Sequence, residues 1–176
     1  MNRAELLRRP TLEARPAPRA PASSEQFFTV LIGRERFGLP IGSVRTVFRA
    51  QAIVPAPLTP PWVRGLINLR GHIVTAISLS VRLGLASPAA DSREANPLAV
   101  GVEIEGDTFA LIVDGVGDVA EISAADSIGR PAGMTPMARR MTTCVYITPA
   151  GILPIIDLHA AVFNAPERDC EIESIS

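Results

Sequence analysis

Gly65-Leu66-Ile67-Asn68-Leu69-Arg70-Gly71-His72-Ile73-Val74-Thr75-Ala76-Ile77 decides the fold class. Two short apolar runs, Leu66–Leu69 and His72–Ile77, flank the dipeptide Arg70-Gly71. A two-residue connection between such runs is a hairpin loop, and its glycine suits the positive φ that the turn needs. The stretch predicts two antiparallel strands rather than a helix.

Working outward, Pro55-Ala56-Pro57-Leu58-Thr59-Pro60-Pro61 cannot sit in a helix or a central strand. It reads as a surface connection that Trp62 pins to the core. Val44–Phe48 before it is β-prone. Earlier still, Phe28, Val30 and Ile32 share one face of a strand and Phe27, Thr29 and Leu31 the other; Gly33-Arg34-Glu35 turns the chain and Arg36–Leu39 returns. After the hairpin, Leu79–Leu83 reads as a helical turn stopped by Gly84, and Ser87–Asn96 as a polar linker. The second half has the same style. Leu98, Val100, Val102 and Ile104 alternate with Ala99, Gly101, Glu103 and Glu105, which predicts a strand with one wet face. Gly106-Asp107 turns, Phe109–Val113 returns, and Gly115 and Gly117 mark a turn or bulge before Val119 and Ile122. Gly129–Arg140 reads as a loop. Thr143–Thr148 and Ile152–Ile156 form a last hairpin, and Asp157 caps a helix over Leu158–Phe163.

Short strands with Gly/Pro turns mean an all-β fold, a sandwich or small barrels. With about 70 residues in each half, two small barrels packed together fit. The expected boundaries are a Pro/Ala/Arg-rich tail over 1–24, a folded domain over 25–164 and an acidic tail over 165–176. Within the domain the first barrel spans roughly 26–86 and the second roughly 96–157, with strand exchange between them left open. The first tail buries too little apolar surface to offset its ordering entropy, so disorder is expected there.

The 176 residues carry 17 basic and 18 acidic side chains, and net charge −1 gives no electrostatic footprint for nucleic acid. Every basic residue is Arg, which removes Schiff-base chemistry and the phosphate-loop lysine. The two cysteines, Cys144 and Cys170, make no disulfide framework. The longest charge-free stretch, Met141–Ile156, is broken by Thr, Tyr, Pro and Gly and is too short to span a bilayer. Arg8, Arg9 and Pro10 stand where a secretory signal would be apolar. The expected location is the cytoplasm.

Catalytic signatures fail in turn. G-x-S-x-G, Walker, H-E-x-x-H and C-x-x-C patterns are absent. Gly115-Val116-Gly117 lacks the third glycine of a dinucleotide loop. His72 and His159 have no partner at metal-ligand spacing. Asp114 and Asp118 read as turn carboxylates, since a calcium loop needs more oxygen ligands. Glu103 and Glu105 read as a solvated face, and Cys144 as a small buried hydrophobe. No catalytic residue, cofactor or metal is expected. Two other readings stay open: a small enzyme using Cys144 or His72, and a nucleic-acid-binding β-barrel.

Trp62-Val63-Arg64-Gly65-Leu66-Ile67-Asn68-Leu69-Arg70-Gly71-His72-Ile73-Val74 resembles the hallmark segment of CheW-type chemotaxis coupling proteins. Val81-Arg82-Leu83-Gly84-Leu85 resembles the segment that follows it there. Ile112-Val113-Asp114-Gly115-Val116-Gly117-Asp118-Val119 resembles the family's V-D-x-V-x-D-V stretch, and Ile152-Leu153-Pro154-Ile155-Ile156-Asp157-Leu158 its closing strand and helix. The order and spacing match over roughly Gln26–Phe163. The resemblance implies two SH3-like five-stranded barrels with short helices, and a non-catalytic adaptor. It implies a CheA-type histidine kinase and the cytoplasmic tips of methyl-accepting chemoreceptors as partners, with recruitment to membrane receptor arrays but no membrane insertion. The groove between barrels is implied for the receptor and the barrel ends for the kinase. Carried residue by residue, the partner-binding set is Arg70, Val44, Thr46, Val47, Gly65, Asn68, Gly71 and Ile73. Gly65, Asn68 and Gly71 are expected to shape the hairpin, and Arg70 to bond a partner carboxylate. Thr46, Thr75 and Ser78 stand where the family usually has an acid, Pro and Asp; these departures imply a divergent pathway with an output other than flagella.

Overall fold

The computed structural model describes residues 24–86, 96–130 and 134–163. The two tails, apart from Ser24, and most of the expected linker lie outside the described residues. Ten strands follow one another: β1 Ser24–Ile32, β2 Glu35–Pro40, β3 Val44–Arg49, β4 Val63–Leu69, β5 His72–Ser78, β6 Leu98–Ile104, β7 Asp107–Val113, β8 Gly115–Ser123, β9 Thr142–Thr148 and β10 Gly151–Ile156. Among the described residues three short helices are α1 Leu79–Arg82, α2 Pro136–Arg140 and α3 Leu158–Phe163.

The strands form two five-stranded sheets, β8-β1-β2-β10-β9 and β3-β6-β7-β5-β4. Each sheet curls until its edges meet. In the first, Ile128 N donates to Val145 O at 2.9 Å beside a Ser127–Tyr146 bridge. In the second, Val54 and Leu66 exchange backbone hydrogen bonds of 2.9 and 2.8 Å. We call them barrel A and barrel B.

The two halves of the sequence are not the two barrels. Each half is a hairpin followed by three strands and a helix: β1β2 then β3β4β5α1, and β6β7 then β8β9β10α3. Each barrel takes the hairpin of one half and the three strands of the other. The split expected at 86 and 96 therefore marks an internal repeat with exchanged hairpins. Periodicity reports faces of strands and not their neighbours, and the exchange depends on two parallel seams, β2 beside β10 and β5 beside β7, that join elements far apart in sequence.

Packing ties the two barrels together. Barrel B's interior is narrow and alanine-rich (Ala50, Ala76, Ala99, Ala110, with Ile67, Val74 and Ile112). Barrel A's interior holds Phe27, Ile122, Cys144, Tyr146, Leu153 and Ile155. The largest core lies between them and joins Val30, Ile32, Phe37 and Leu39 of barrel A to Val100, Val102, Leu111 and Val113 of barrel B, with Leu79, Leu158 and Ala161 from the helices. Most of the apolar burial that drives folding is thus shared, so neither barrel is a separate unit.

This sandwiching explains a departure from the expected strands. β6 was expected to have one wet face, yet Ala99, Val100, Gly101 and Val102 are all buried, because one face lines barrel B and the other the shared core. Glu103 and Glu105 reach the surface and pair with Arg45 at 3.1 Å and His159 at 3.3 Å. β1 keeps its expected faces: Phe28, Val30 and Ile32 pack on the shared core and Phe27 lies inside barrel A.

Gly115 and Gly117 lie within the nine-residue β8, and of the turn or bulge expected there the bulge is present: the register with β1 shifts between Val119 and Val116. A Cβ on Gly117 would meet Thr29 Oγ1 at 2.5 Å, and that hydroxyl donates to Asp118 O at 2.6 Å. The glycine permits this close crossing of β1 and β8. The loop expected over Gly129–Arg140 contains α2, capped by Thr135 Oγ1 accepting from Ala138 N at 3.1 Å, with Pro136 opening the helix. Asp157 caps α3 as expected, its Oδ1 accepting from Ala160 N at 2.9 Å.

Asp114 joins the barrels. Its backbone N donates to Leu31 O at 3.0 Å and its carboxylate accepts from Gly33 N at 2.5 Å, holding the β1–β2 turn where the chain crosses from β7 to β8. Asp114→Ala is expected to cost about 1.5–3 kcal/mol, the range for a hydrogen bond to a charged group, measured by urea unfolding. A loss below about 0.5 kcal/mol would show that the turn holds itself.

Candidate partner-binding site

The β4–β5 hairpin ends in Arg70 at φ +53° and Gly71 at φ +91°, a two-residue loop with positive φ at both positions. Asn68 Oδ1 accepts from Gly71 N at 2.8 Å and stiffens the tip. Arg70 projects from that tip, exposed, and no residue described in the structure pairs with it.

Two grooves flank the hairpin. One, of 340 Å³, lies between the end of β3 and β4 and is lined by Phe48, Arg49, Gln51, Ile67, Asn68 and Leu69. The other, of 420 Å³, lies between β5 and the β6–β7 turn and is lined by His72, Ile73, Thr75, Asp107 and Phe109. The partner-binding residues expected from sequence divide among these places. Arg70 and Gly71 form the tip, Asn68 faces the first groove and Ile73, 65% exposed, the second. Val47 is exposed on the outer face of β3. Val44 does not join them, since it packs against the shared core. Thr46 turns the other way from Val47 and stands with its methyl over Gly101, where a Cβ would meet it at 2.8 Å. Gly65 is at the closure of barrel B: its φ is +137° and a Cβ there would strike the Val54 carbonyl oxygen.

The charge of this end is mainly cationic, with Asp107 as the acid lining the second groove. From Arg36 to Ala90 the sequence has six Arg and no Asp or Glu. Arg45 is neutralised by Glu103, and Arg49 Nη1 donates to Asn96 O at 3.1 Å. Barrel B's carboxylates lie on its β6–β7 hairpin at Glu103, Glu105 and Asp107. Val54, 63% exposed, and Leu66 add apolar surface at the closure. Sequence reasoning missed these two and Arg49; the acid-free run was a signal for the cationic end, whereas barrel closure was not encoded in any local pattern.

Candidates for chemistry take structural places. Cys144 is buried inside barrel A. Tyr146 beside it donates to Glu25 Oε2 at 3.2 Å, and its pKa is pushed up by burial first and then by the Cys144 thiol, which keeps the phenol protonated. His72 is exposed at the start of β5. Of the positions that depart from the hallmark pattern, Ser78 still caps α1, its Oγ accepting from Val81 N at 3.2 Å, so the substitution keeps the capping chemistry. Thr75 pairs with Leu66 on one side and Phe109 on the other.

Arg82 was quoted only as part of a motif, yet it is the largest fully buried side chain, 1% exposed. Nε donates to Ala161 O at 2.9 Å and Nη2 to Ala160 O at 2.7 Å, and the guanidinium lies 4.1 Å from the Trp62 ring centre. Burial lowers its pKa from the ordinary guanidinium value. It ties α1 and the Pro-rich connection of barrel B to the C-terminal end of α3.

Comparison with known proteins agrees with this fold. The family model of the CheW-like domain matches residues 26–167. The chain is 28% identical over 161 residues to the chemotaxis protein CheW of Treponema pallidum, covering 90% of this chain and 94% of that protein. It is 25% identical over 138 residues to CheW of Rhizobium meliloti, covering 78% and 86%. The crystal structure of scaffolding protein TtCheW from Thermoanaerobacter tengcongensis matches with a TM-score of 0.69 and 28% identity, over 83% of this chain and 98% of that one.

Proposed function

This chain belongs to the CheW-like domain family, and from that premise we propose that it is a non-catalytic scaffolding adaptor of a chemosensory two-component pathway. It couples the cytoplasmic tips of methyl-accepting chemoreceptors to a CheA-type histidine kinase. It needs no membrane segment of its own for this, because the receptors bring it to the membrane; among the described residues no helix is long and apolar enough to cross one. Thr46, in place of the family's acid, supports a divergent branch with an output other than flagella.

The observation that carries the reading is Arg70. A guanidinium held on a two-residue turn by an Asn68 clamp, without an intramolecular partner among the described residues, is preorganised for a carboxylate on another molecule. Val47, Leu66 and Ile73 supply exposed apolar surface on the same barrel. Cys144 takes a structural place inside barrel A, with Thr143 Oγ1 at 3.7 Å and the neighbouring Tyr146 held to Glu25.

The test is co-precipitation of the cell's own receptor cytoplasmic fragments and CheA-type kinase with the full chain, wild type against Arg70→Glu. Charge reversal at a contact is expected to weaken binding of the receptor fragment or of the kinase by more than about tenfold. Because Arg70 is exposed and unpaired, the folded state is expected to change by less than about 0.5 kcal/mol. Unchanged binding by Arg70→Glu removes the hairpin from the interface. Failure of the wild-type chain to bind any receptor or kinase defeats the adaptor reading.

A further inference from the structure

We infer that the chain's own N-terminal Arg/Pro segment, through Arg15 and Arg19, docks in the groove at the β9–β10 end of barrel A. That groove, of 240 Å³, lies between the last residues of β8 and the β9–β10 tip, and is the repeat equivalent of the groove beside Arg70 in barrel B. Its charge is the reverse. Glu121 and Asp126 stand on its rim, with Arg36 as its one cation, and Ala120, Ile147 and Pro149 give it an apolar surface. Ile147 is 57% exposed, and Asp126 makes no ion pair with any described residue.

The place where the tail leaves the fold selects the occupant. Ser24 pairs with Ser123 at the end of β8, and its Oγ donates to Glu121 Oε1 at 2.8 Å. Residues 1–23 therefore depart from the acidic rim itself. They carry five Arg and two Glu, and they include Arg15-Pro16-Ala17-Pro18-Arg19-Ala20-Pro21. Arg19 stands five residues and Arg15 nine residues before Ser24, at most about 18 and 32 Å of extended chain, so both are within reach of the groove. Two Arg separated by Pro and Ala match an apolar surface with two carboxylates at its edge.

A short tether to Ser24 holds the segment at about millimolar effective concentration, so a contact too weak to detect between separate molecules is populated within one chain. The docked tail covers Ile147 and Pro149. If that end receives a signalling partner, the tail competes with the partner; this consequence, unlike the docking itself, rests on the adaptor reading.

The test uses the full chain with a nitroxide on Ala17→Cys in a Cys170→Ser background, Cys144 being buried. The expected result is paramagnetic broadening of the amides of Glu121, Asp126, Ile147 and Ala150, reversed when the label is reduced and weakened by high salt. Glu121→Arg with Asp126→Arg abolishes the broadening, and adding Arg15→Glu and Arg19→Glu restores it. Sharp amides in the labelled wild-type sequence overturn the inference. So does broadening that ignores both charge reversals, or that arises only between labelled and unlabelled molecules, which would assign the groove to a second copy. No receptor or kinase is present in this experiment, so its failure leaves the adaptor reading standing.

Discussion

Arg82→Ala is expected to destabilise the protein by about 3–5 kcal/mol, the range seen when one member of a buried charged network is removed. For a domain of this size that lowers the melting midpoint by about 10 °C. The size follows from what is left behind. Two α3 carbonyls, Ala160 O and Ala161 O, lose their donors in a region that water does not reach, and each orphaned group costs about 1–3 kcal/mol. The Trp62 ring loses the cation on its face, worth about 1–2 kcal/mol where water is excluded. Truncation also opens a cavity in the shared core beside Leu79, Leu83 and Ala161. Arg82→Met separates these causes, because it fills most of the space and restores no donor. If the carbonyls dominate, Met recovers less than half of the loss in urea unfolding; if packing dominates, Met recovers nearly all of it. A stability change below about 1 kcal/mol for the alanine variant would mean that α3 does not depend on this residue.

The same residue shows what sequence conveys and what it withholds. Arg82 looks like a basic residue in the last turn of a short helix, a place where arginine is unremarkable and solvated. Its burial comes from α3, some eighty residues later, closing over it, and no local pattern carries that contact. The hairpin at Arg70 is the opposite case. Its strands, its two-residue loop and its positive φ are all local, and all are legible in thirteen residues. The strands of β6 and β7 were equally legible, but their two-sided burial was not, because it depends on which barrel they enter and what packs outside it. The candidate site divides along the same line: residues whose role is set by their neighbours in sequence, Asn68, Arg70 and Gly71, are where the motif put them. Val44 and Thr46, whose role depends on the opposite side of the sheet, turn away from the tip toward the core and Gly101.

Gly65→Ala tests that division most sharply. Gly65 stands in the same motif as Arg70, and by sequence alone both belong to the partner-binding hairpin. In the fold Gly65 has φ +137°, a conformation that costs an L-residue about 1–3 kcal/mol. Its missing Cβ also makes room for the Val54 carbonyl, whose carbon would lie only 2.8 Å from an alanine methyl. That carbonyl cannot retreat, since it accepts from Leu66 N at 2.8 Å and its own residue donates to Leu66 O at 2.9 Å. These two bonds close barrel B, so relieving the clash means opening the barrel and exposing Ala50, Ile67 and Val74 behind it. Strain and overpacking together are expected to cost about 3–5 kcal/mol. The two variants then separate on two axes. Arg70→Glu loses its partner and keeps its unfolding midpoint; Gly65→Ala loses stability, and its binding falls only as far as its folded fraction does. A Gly65→Ala protein that stays fully folded yet fails to bind would move this glycine from barrel closure to the interface and would show that the Val54–Leu66 bridge yields.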